Sequence, residues 1–370
     1  MPEYLFPLYN LVIWDICFFL AVAGYLRSHP RYRLISNPRD SQVKYILFFL
    51  FFMYTMFTFF GGDNKRYVEF VVSAYKDEVF ETFYNKLAGI VTPSVFLWKF
   101  FVYVPALYFV HKAIKNFKVN SYVTYLAFIL FAMPSYGSTR AILAYSLFVY
   151  AASVLENKGW IKIPLTYLLV ICCFFFHNSM AIPIGLFLLT PFFKLNKKML
   201  LLSIVLIPVL VGMVSLSIEY LLESDMLVDT YVGTKMESNT DENRRESELA
   251  YSSMTGMIFL WMDIVTTIML FFYCVKALYL KLLPKGMERL VKVCFLLLLF
   301  CIIVLVSGIP GRQLLATRYF GMIPFFLYIV AHHISQNKLS SHYIRLLCVA
   351  LLFLRHNMMF LYSVYNYSLM

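Results

Sequence analysis

Charged residues are scarce in this chain of 370 residues: Asp, Glu, Lys and Arg make up 14%, against roughly a quarter in soluble domains. Apolar residues make up 61% and aromatic residues 19%. This composition excludes a water-soluble fold. Because no polar block is large enough to fold separately, we interpret residues 1–370 as a single transmembrane domain.

Motifs of several enzyme classes are also missing. The sequence has no P-loop, no GxGxxG opening a helix, no HExxH and no GxSxG, which disfavours nucleotide-driven pumping, dinucleotide chemistry, zinc proteolysis and esterase chemistry. A carboxylate cluster such as DxD is absent too, so a metal-bound nucleotide sugar is disfavoured as a donor. We expect neither a cofactor nor a bound metal.

The seven cysteines form no CxxC pair and lie in apolar runs, so neither a zinc site nor a disulfide framework is indicated. The net charge of +12 arises from Lys and Arg in short clusters between apolar runs. Membrane topology usually explains such clusters, and nucleic acid is therefore not an expected partner.

Apolar runs long enough to cross a bilayer recur along the whole chain. The first, Leu5 to Tyr25, lacks a basic leader and a small-residue cleavage site, so we expect a retained helix rather than a signal peptide. The predicted fold is an all-α, polytopic integral membrane protein with about twelve spans, at 4–26, 43–60, 90–110, 121–136, 139–155, 161–176, 179–193, 199–222, 254–280, 290–309, 318–334 and 342–363.

Loop charges predict the orientation of these spans. With the N-terminus outside, one set of alternate loops holds most of the Lys and Arg, and the other holds most of the acids. Since cytoplasmic loops are enriched in Lys and Arg, the basic set is predicted to be cytoplasmic. The two long outer loops are then residues 61–89 and 223–253, and the second is either a lid or partner-binding surface or a solvated connector.

Five polar residues at predicted span ends fall on the outer side under this topology: Asp63, Arg140, His177, Arg312 and Arg318. Asp63 is a candidate general base or sugar ligand, and the alternative is a helix cap or an ion pair. His177 is a candidate base or hydrogen-bonding residue, and the alternative is a histidine bonded to a backbone carbonyl.

The three arginines are candidate ligands of a diphosphate. Arg140 opens an apolar helix, where a cation opposes the helix dipole and an anion nearby is expected. Arg312 and Arg318 lie in the predicted loop between spans ten and eleven and add two guanidinium groups. The alternative for each arginine is an ordinary contact with lipid headgroups.

At these residues the sequence resembles the EpsG family, a branch of the Wzy-type bacterial polysaccharide polymerases. The matching elements are Gly62-Asp63, Arg140-Ala141-Ile142-Leu143-Ala144, Phe176-His177-Asn178-Ser179 and Arg318-Tyr319-Phe320, in the family's order. The family usually has Gln after the helix-opening arginine, where this chain has Ala141.

The resemblance implies a GT-C-related membrane glycosyltransferase of the bacterial cytoplasmic membrane, acting on the periplasmic or extracytoplasmic face. Donor and acceptor would be oligosaccharide repeat units linked to undecaprenyl diphosphate, polymerised into O-antigen, capsule or exopolysaccharide. Arg140, Arg312 and Arg318 would neutralise the departing diphosphate, and His177 or Asp63 would orient or deprotonate the acceptor hydroxyl. A chain-length regulator is a further candidate partner.

Two other functions remain open from the sequence. A polysaccharide transporter or flippase would also have many spans, but it would need charges near the bilayer midplane and broken helices in related halves. An O-acyltransferase that modifies the same glycan generally has a histidine deeper in the membrane than His177.

Overall fold

The computed structural model describes residues 5–28, 40–57, 95–132, 139–199, 201–213 without 204, 207 and 210, 254–306, 312–336 and 349–358. Regular structure among these residues is helical throughout, without a strand. Helices suit a chain in lipid because each backbone amide finds its carbonyl within the same segment. In chain order the labelled helices are α1 (Leu5–Ser28), α2 (Asp40–Phe57), α3 (Val95–Asn116), α4 (Tyr122–Ala127), α5 (Thr139–Val154), α6 (Lys162–Phe176), α7 (Ala181–Leu189), α8 (Met254–Tyr279), α9 (Lys285–Val306), α10 (Arg312–Gln336) and α11 (349–358).

Helix occurs within each of the twelve predicted segments, so the all-helical prediction is confirmed for the described residues. A π-helical turn, Phe128–Ala132, continues α4, and a 3₁₀ turn, Asn178–Met180, precedes α7. Helical residues also lie between 197 and 213. Three described segments are long and apolar enough to cross a membrane, namely Leu8–Leu26, Trp261–Tyr279 and Lys285–Val306. The chain is therefore a membrane protein, while the number of spans and the GT-C architecture stay predictions.

One boundary differs from its prediction in a way that matters for the candidate site. The segment containing Arg312 and Arg318 was expected to be a loop before a span at 318–334, but α10 already begins at Arg312. The prediction was wrong because Gln, Leu, Leu and Ala after Arg312 all favour helix, and it gave more weight to the proline and glycine that precede Arg312 in the sequence. Both arginines therefore lie in the first two turns of α10.

Contacts among the described helices identify the two ends of the bundle. Helices α5 and α6 pack together across a short connection, as do α9 and α10, so each pair is antiparallel. At one end, the hydroxyl of Tyr319 near the start of α10 donates to the carbonyl oxygen of Ser179, 3.2 Å away. We call this the His177 end; it holds the start of α5, the end of α6 and the start of α10.

The opposite end, here called the Glu156 end, is tied by two other bonds. The backbone N–H of Gly286 at the start of α9 donates to Glu156 Oε1, 2.7 Å away, on the α5–α6 connection. Near the end of α10, His333 Nδ1 lies 3.1 Å from the carbonyl oxygen of Phe117, which follows α3. Helices α3, α5 and α10 therefore all run from the His177 end to the Glu156 end.

Helix α1 has the same direction. The indole Nε1 of Trp14 on this helix donates to the carbonyl oxygen of Ile129, 2.8 Å away, in the π-helical turn. Further along α1, the ring of Tyr122 fills the space that a side chain would need at Gly24. Since Tyr122 follows closely on Phe117 at the Glu156 end, residues before Trp14 lie toward the His177 end.

Helix α10 forms the centre of the described bundle. It packs against α8, α9 and α4, and its residues from Met322 to Val330 are buried. Aromatic rings join it to α5, with Phe148 stacked on Phe326 at 5.4 Å between centroids. Outer surfaces carry exposed apolar side chains such as Phe19, Phe49 and Phe272, as expected of helices that face lipid.

Candidate functional site

His177 is the residue at which α6 ends. The helix is apolar without interruption from residue 168 to its end at Phe176, and His177 caps it in an extended conformation, with φ −156° and ψ 121°. Its backbone N–H still donates to the carbonyl oxygen of Cys173, 3.2 Å away, and its carbonyl oxygen accepts from the N–H of Met180 at 3.0 Å. The histidine backbone is thus held on both sides of the turn into α7.

Ser179 fixes the imidazole of His177. The backbone N–H of Ser179 donates to His177 Nδ1 at 3.2 Å, and Ser179 Oγ lies 2.5 Å from the same nitrogen. A backbone N–H can only donate, so Nδ1 must accept and carries no hydrogen. In the neutral ring, the proton is therefore on Nε2.

This tautomer decides which chemistry the neutral ring can perform. A nitrogen that already carries a hydrogen donates a hydrogen bond and cannot remove a proton from a hydroxyl. Accepting a proton on Nδ1 instead would break the bond from the Ser179 backbone N–H and reverse the contact with Ser179 Oγ, which would then accept. The geometry therefore favours His177 as a hydrogen-bond donor through Nε2 over His177 as a general base.

Tyr319 links the histidine element to α10. Its side chain is buried, its hydroxyl bonds to the Ser179 carbonyl oxygen, and its ring contacts Phe300 edge-on at 5.6 Å between centroids. Sequence reasoning identified Phe176-His177-Asn178-Ser179 and Arg318-Tyr319-Phe320 as separate elements far apart in the chain. The structure brings these two elements together, and Arg318 directly precedes the tyrosine that joins them.

The other two predicted arginines also lie at the His177 end. Arg140 is the second residue of α5, which confirms the prediction that it opens a helix, and Arg312 is the first residue of α10. Free backbone amides and the positive end of the helix dipole make such first turns suitable for anions. Asp63 lies outside the described residues, as do the predicted outer loops 61–89 and 223–253.

A second polar cluster lies between α1, α8 and α11, and it contains none of the five predicted site residues. Arg355 Nη2 is 2.7 Å from Asp263 Oδ2 in an ion pair, and Asn357 Nδ2 donates to Asp15 Oδ1 at 3.3 Å. Between them, the ring of His356 contacts that of Trp14 at 3.8 Å between centroids, with the two ring planes tilted by 31°. One turn of α11 thus connects α8 with α1.

No group of three or more His, Cys, Asp or Glu side chains in the described part of the chain is placed to hold a metal ion. Metal-independent chemistry remains a prediction, since Asp63 and the outer loops are not among those residues.

Comparison with known protein families gives a match that covers most of the chain. The model of the EpsG family matches residues 43–369. No curated protein and no solved structure matches the sequence.

Proposed function

The chain belongs to the EpsG family of Wzy-type, polysaccharide polymerase-like membrane proteins, and on that premise we propose that it joins lipid-linked oligosaccharides into polysaccharide. Donor and acceptor are repeat units on undecaprenyl diphosphate, and the reaction takes place on the extracytoplasmic face. The observation that carries the proposal is the Tyr319–Ser179 hydrogen bond, which joins the element of His177 to the element of Arg318 at one bundle end.

The proposed reaction is a displacement at the anomeric carbon of the donor sugar. An acceptor hydroxyl oxygen forms a bond to that carbon, the bond from the carbon to the diphosphate oxygen breaks, and the diphosphate leaves with both bonding electrons. The hydroxyl proton passes to a base. Negative charge grows on the leaving diphosphate, so cationic and N–H groups aimed at it lower the barrier.

Arg140, Arg312 and Arg318 are assigned to the leaving diphosphate. Two of them stand at helix N-termini, where backbone amides add to the positive potential. His177 joins them as a neutral donor, because its Nε2 carries the proton while Ser179 occupies Nδ1. With His177 acting as donor, Asp63 is left as the base that receives the hydroxyl proton.

The proposal is tested by glycan length in cells that lack the native gene and carry the wild type, Arg140→Ala or His177→Ala at equal membrane abundance. Polymerisation by this protein predicts a ladder with the wild type. With either variant, single lipid-linked repeats should accumulate on the outer face. An unchanged ladder in the deletion strain would contradict the proposal.

Transport of the lipid-linked repeat is the second candidate, because the Arg355–Asp263 pair is an ion pair within apolar helices. Intramembrane charges of this kind are common on transport pathways. The same experiment distinguishes the two functions. A transporter predicts that repeats in the deletion strain remain on the cytoplasmic face, whereas a polymerase predicts that they reach the outer face.

A further inference from the structure

Lys99 is a buried lysine in an otherwise apolar stripe of α3. It is 2% exposed, and the stripe continues with Val102, Ala106 and Val110, which are fully buried. A lysine within an apolar helix bundle is costly to bury, and such residues usually serve a function. Lys99 is not one of the five site residues predicted from the sequence.

The position of Lys99 along the bundle follows from its packing against α5. Helices α3 and α5 run in the same direction, and the ring of Phe109 stacks on that of Tyr150 at 5.6 Å between centroids. Lys99 precedes Phe109 by the same number of residues as Arg140 precedes Tyr150. Lys99 therefore lies, to within about one helical turn, at the level of Arg140 and at the His177 end.

Asn10 provides a second observation at that end. The residue is 1% exposed, and neither atom of its side-chain amide has a hydrogen-bond partner in the described structure. It lies one turn before Trp14, hence nearer to the His177 end. An amide buried in this way costs stability, unless something that is absent here completes its bonds.

We propose that Lys99 and Asn10 contact the substrate in the site of the proposed polymerase. The Lys99 ammonium binds a phosphate oxygen of the lipid diphosphate. The Asn10 amide bonds to a hydroxyl of the attached sugar, since an amide both donates and accepts as hydroxyls require. This inference depends on the proposed function. It adds two residues from the bundle interior to the three arginines that are assigned to the diphosphate.

Binding to the purified full-length protein in detergent tests the inference with two probes. The first is a polyprenyl diphosphate without sugar, and the second is the same lipid carrying one repeat unit. Lys99→Met should weaken binding of both probes about 10-fold or more, as loss of a charged hydrogen bond implies. Lys99→Arg should retain most of the affinity, since it keeps the charge.

Asn10→Leu should distinguish binding of the sugar from binding of the diphosphate. It should leave binding of the sugar-free diphosphate unchanged and weaken binding of the glycosylated lipid several-fold. Because it removes an unsatisfied buried amide, the variant should also unfold at an unchanged or higher temperature. A residue with only a packing role would not combine weaker sugar binding with undiminished stability.

Lys292→Met is the matched control. Lys292 is a buried lysine as well, at 8% exposure, but it lies near the Glu156 end and pairs with Glu288 at 2.7 Å. Its replacement should leave both probes bound as in the wild type. Wild-type affinity in folded Lys99→Met would overturn the inference and leave the proposed function standing. Failure of the wild type to bind either probe would contradict both.

Discussion

Ser179 Oγ lies 2.5 Å from Nδ1 of His177, the same imidazole nitrogen that accepts the backbone N–H of Ser179. The two contacts fix the ring's orientation, and the backbone N–H, which can only donate, sets the neutral tautomer with its hydrogen on Nε2. The sequence element Phe176-His177-Asn178-Ser179 thereby acquires a physical meaning, because the serine two residues on holds the histidine that ends α6.

The first prediction concerns the hydrogen on His177 Nε2. His177→Ala should lower the polymerisation rate about 10²-fold or more, the scale for loss of an oriented donor in an electrostatic site. His177→Gln should keep a substantial part of the rate, because its amide N–H can reach a position near that of Nε2. Rates of purified variants with lipid-linked repeats measure both, and equal loss in the two variants would contradict the donor role.

Ser179 and Tyr319 should act as positioning residues. Ser179→Ala removes the Oγ contact but keeps the backbone bond, so kcat should fall about 3- to 10-fold. KM should change little, since the substrate contacts are retained. Ser179→Thr should restore the rate, which a role in packing alone would not predict. Tyr319→Phe should produce a similar loss through the Ser179 carbonyl.

Gly286 should tolerate no side chain. A Cβ at this position would overlap the carbonyl oxygen of Ala152, a backbone atom that cannot rotate away. Gly286→Ala should therefore lower the free energy of unfolding by about 1–3 kcal/mol, as overpacking does. Gly185→Ala is the control, because the space around Gly185 is open and alanine favours helix. Thermal unfolding in detergent should show a lower midpoint for the first variant only.

The Arg355–Asp263 pair should matter for stability more than for chemistry. Arg355→Ala leaves the Asp263 carboxylate unpaired among apolar helices and should cost about 3 kcal/mol of stability. Asp263→Ala should cost a similar amount. The double variant should lose less than the sum of the two, since neither charge then remains unpaired. Additive losses in the unfolding midpoints would show that the two residues act independently.

Sequence analysis predicted the helices because long apolar runs in lipid have few alternatives. It also predicted that Arg140 opens a helix and that His177 ends one, since both stand where an apolar run meets polar residues. It placed Arg312 and Arg318 in a loop, because glycine and proline before them obscured the helix-forming residues that follow.

Contacts between distant parts of the chain could not be predicted in the same way. The bond from Tyr319 to Ser179 joins residues 140 positions apart, and no periodicity relates them. Burial of Asn10 likewise depends on how α1 packs, which the apolar pattern of a single helix leaves open. Lys99 was visible as a charge inside an apolar run, but its level beside Arg140 follows only from the packing of α3 on α5.

The most direct test of the central claim uses the purified protein in liposomes with undecaprenyl-diphosphate-linked repeat units as the only substrate. Free undecaprenyl diphosphate and glycan length are measured together, without nucleotide sugar. The account predicts one undecaprenyl diphosphate released for each new glycosidic bond, and loss of both products in Arg140→Ala. Glycan growth that requires a nucleotide sugar would contradict it. Absence of growth with the purified protein, under conditions in which wild-type membranes are active, would contradict it as well.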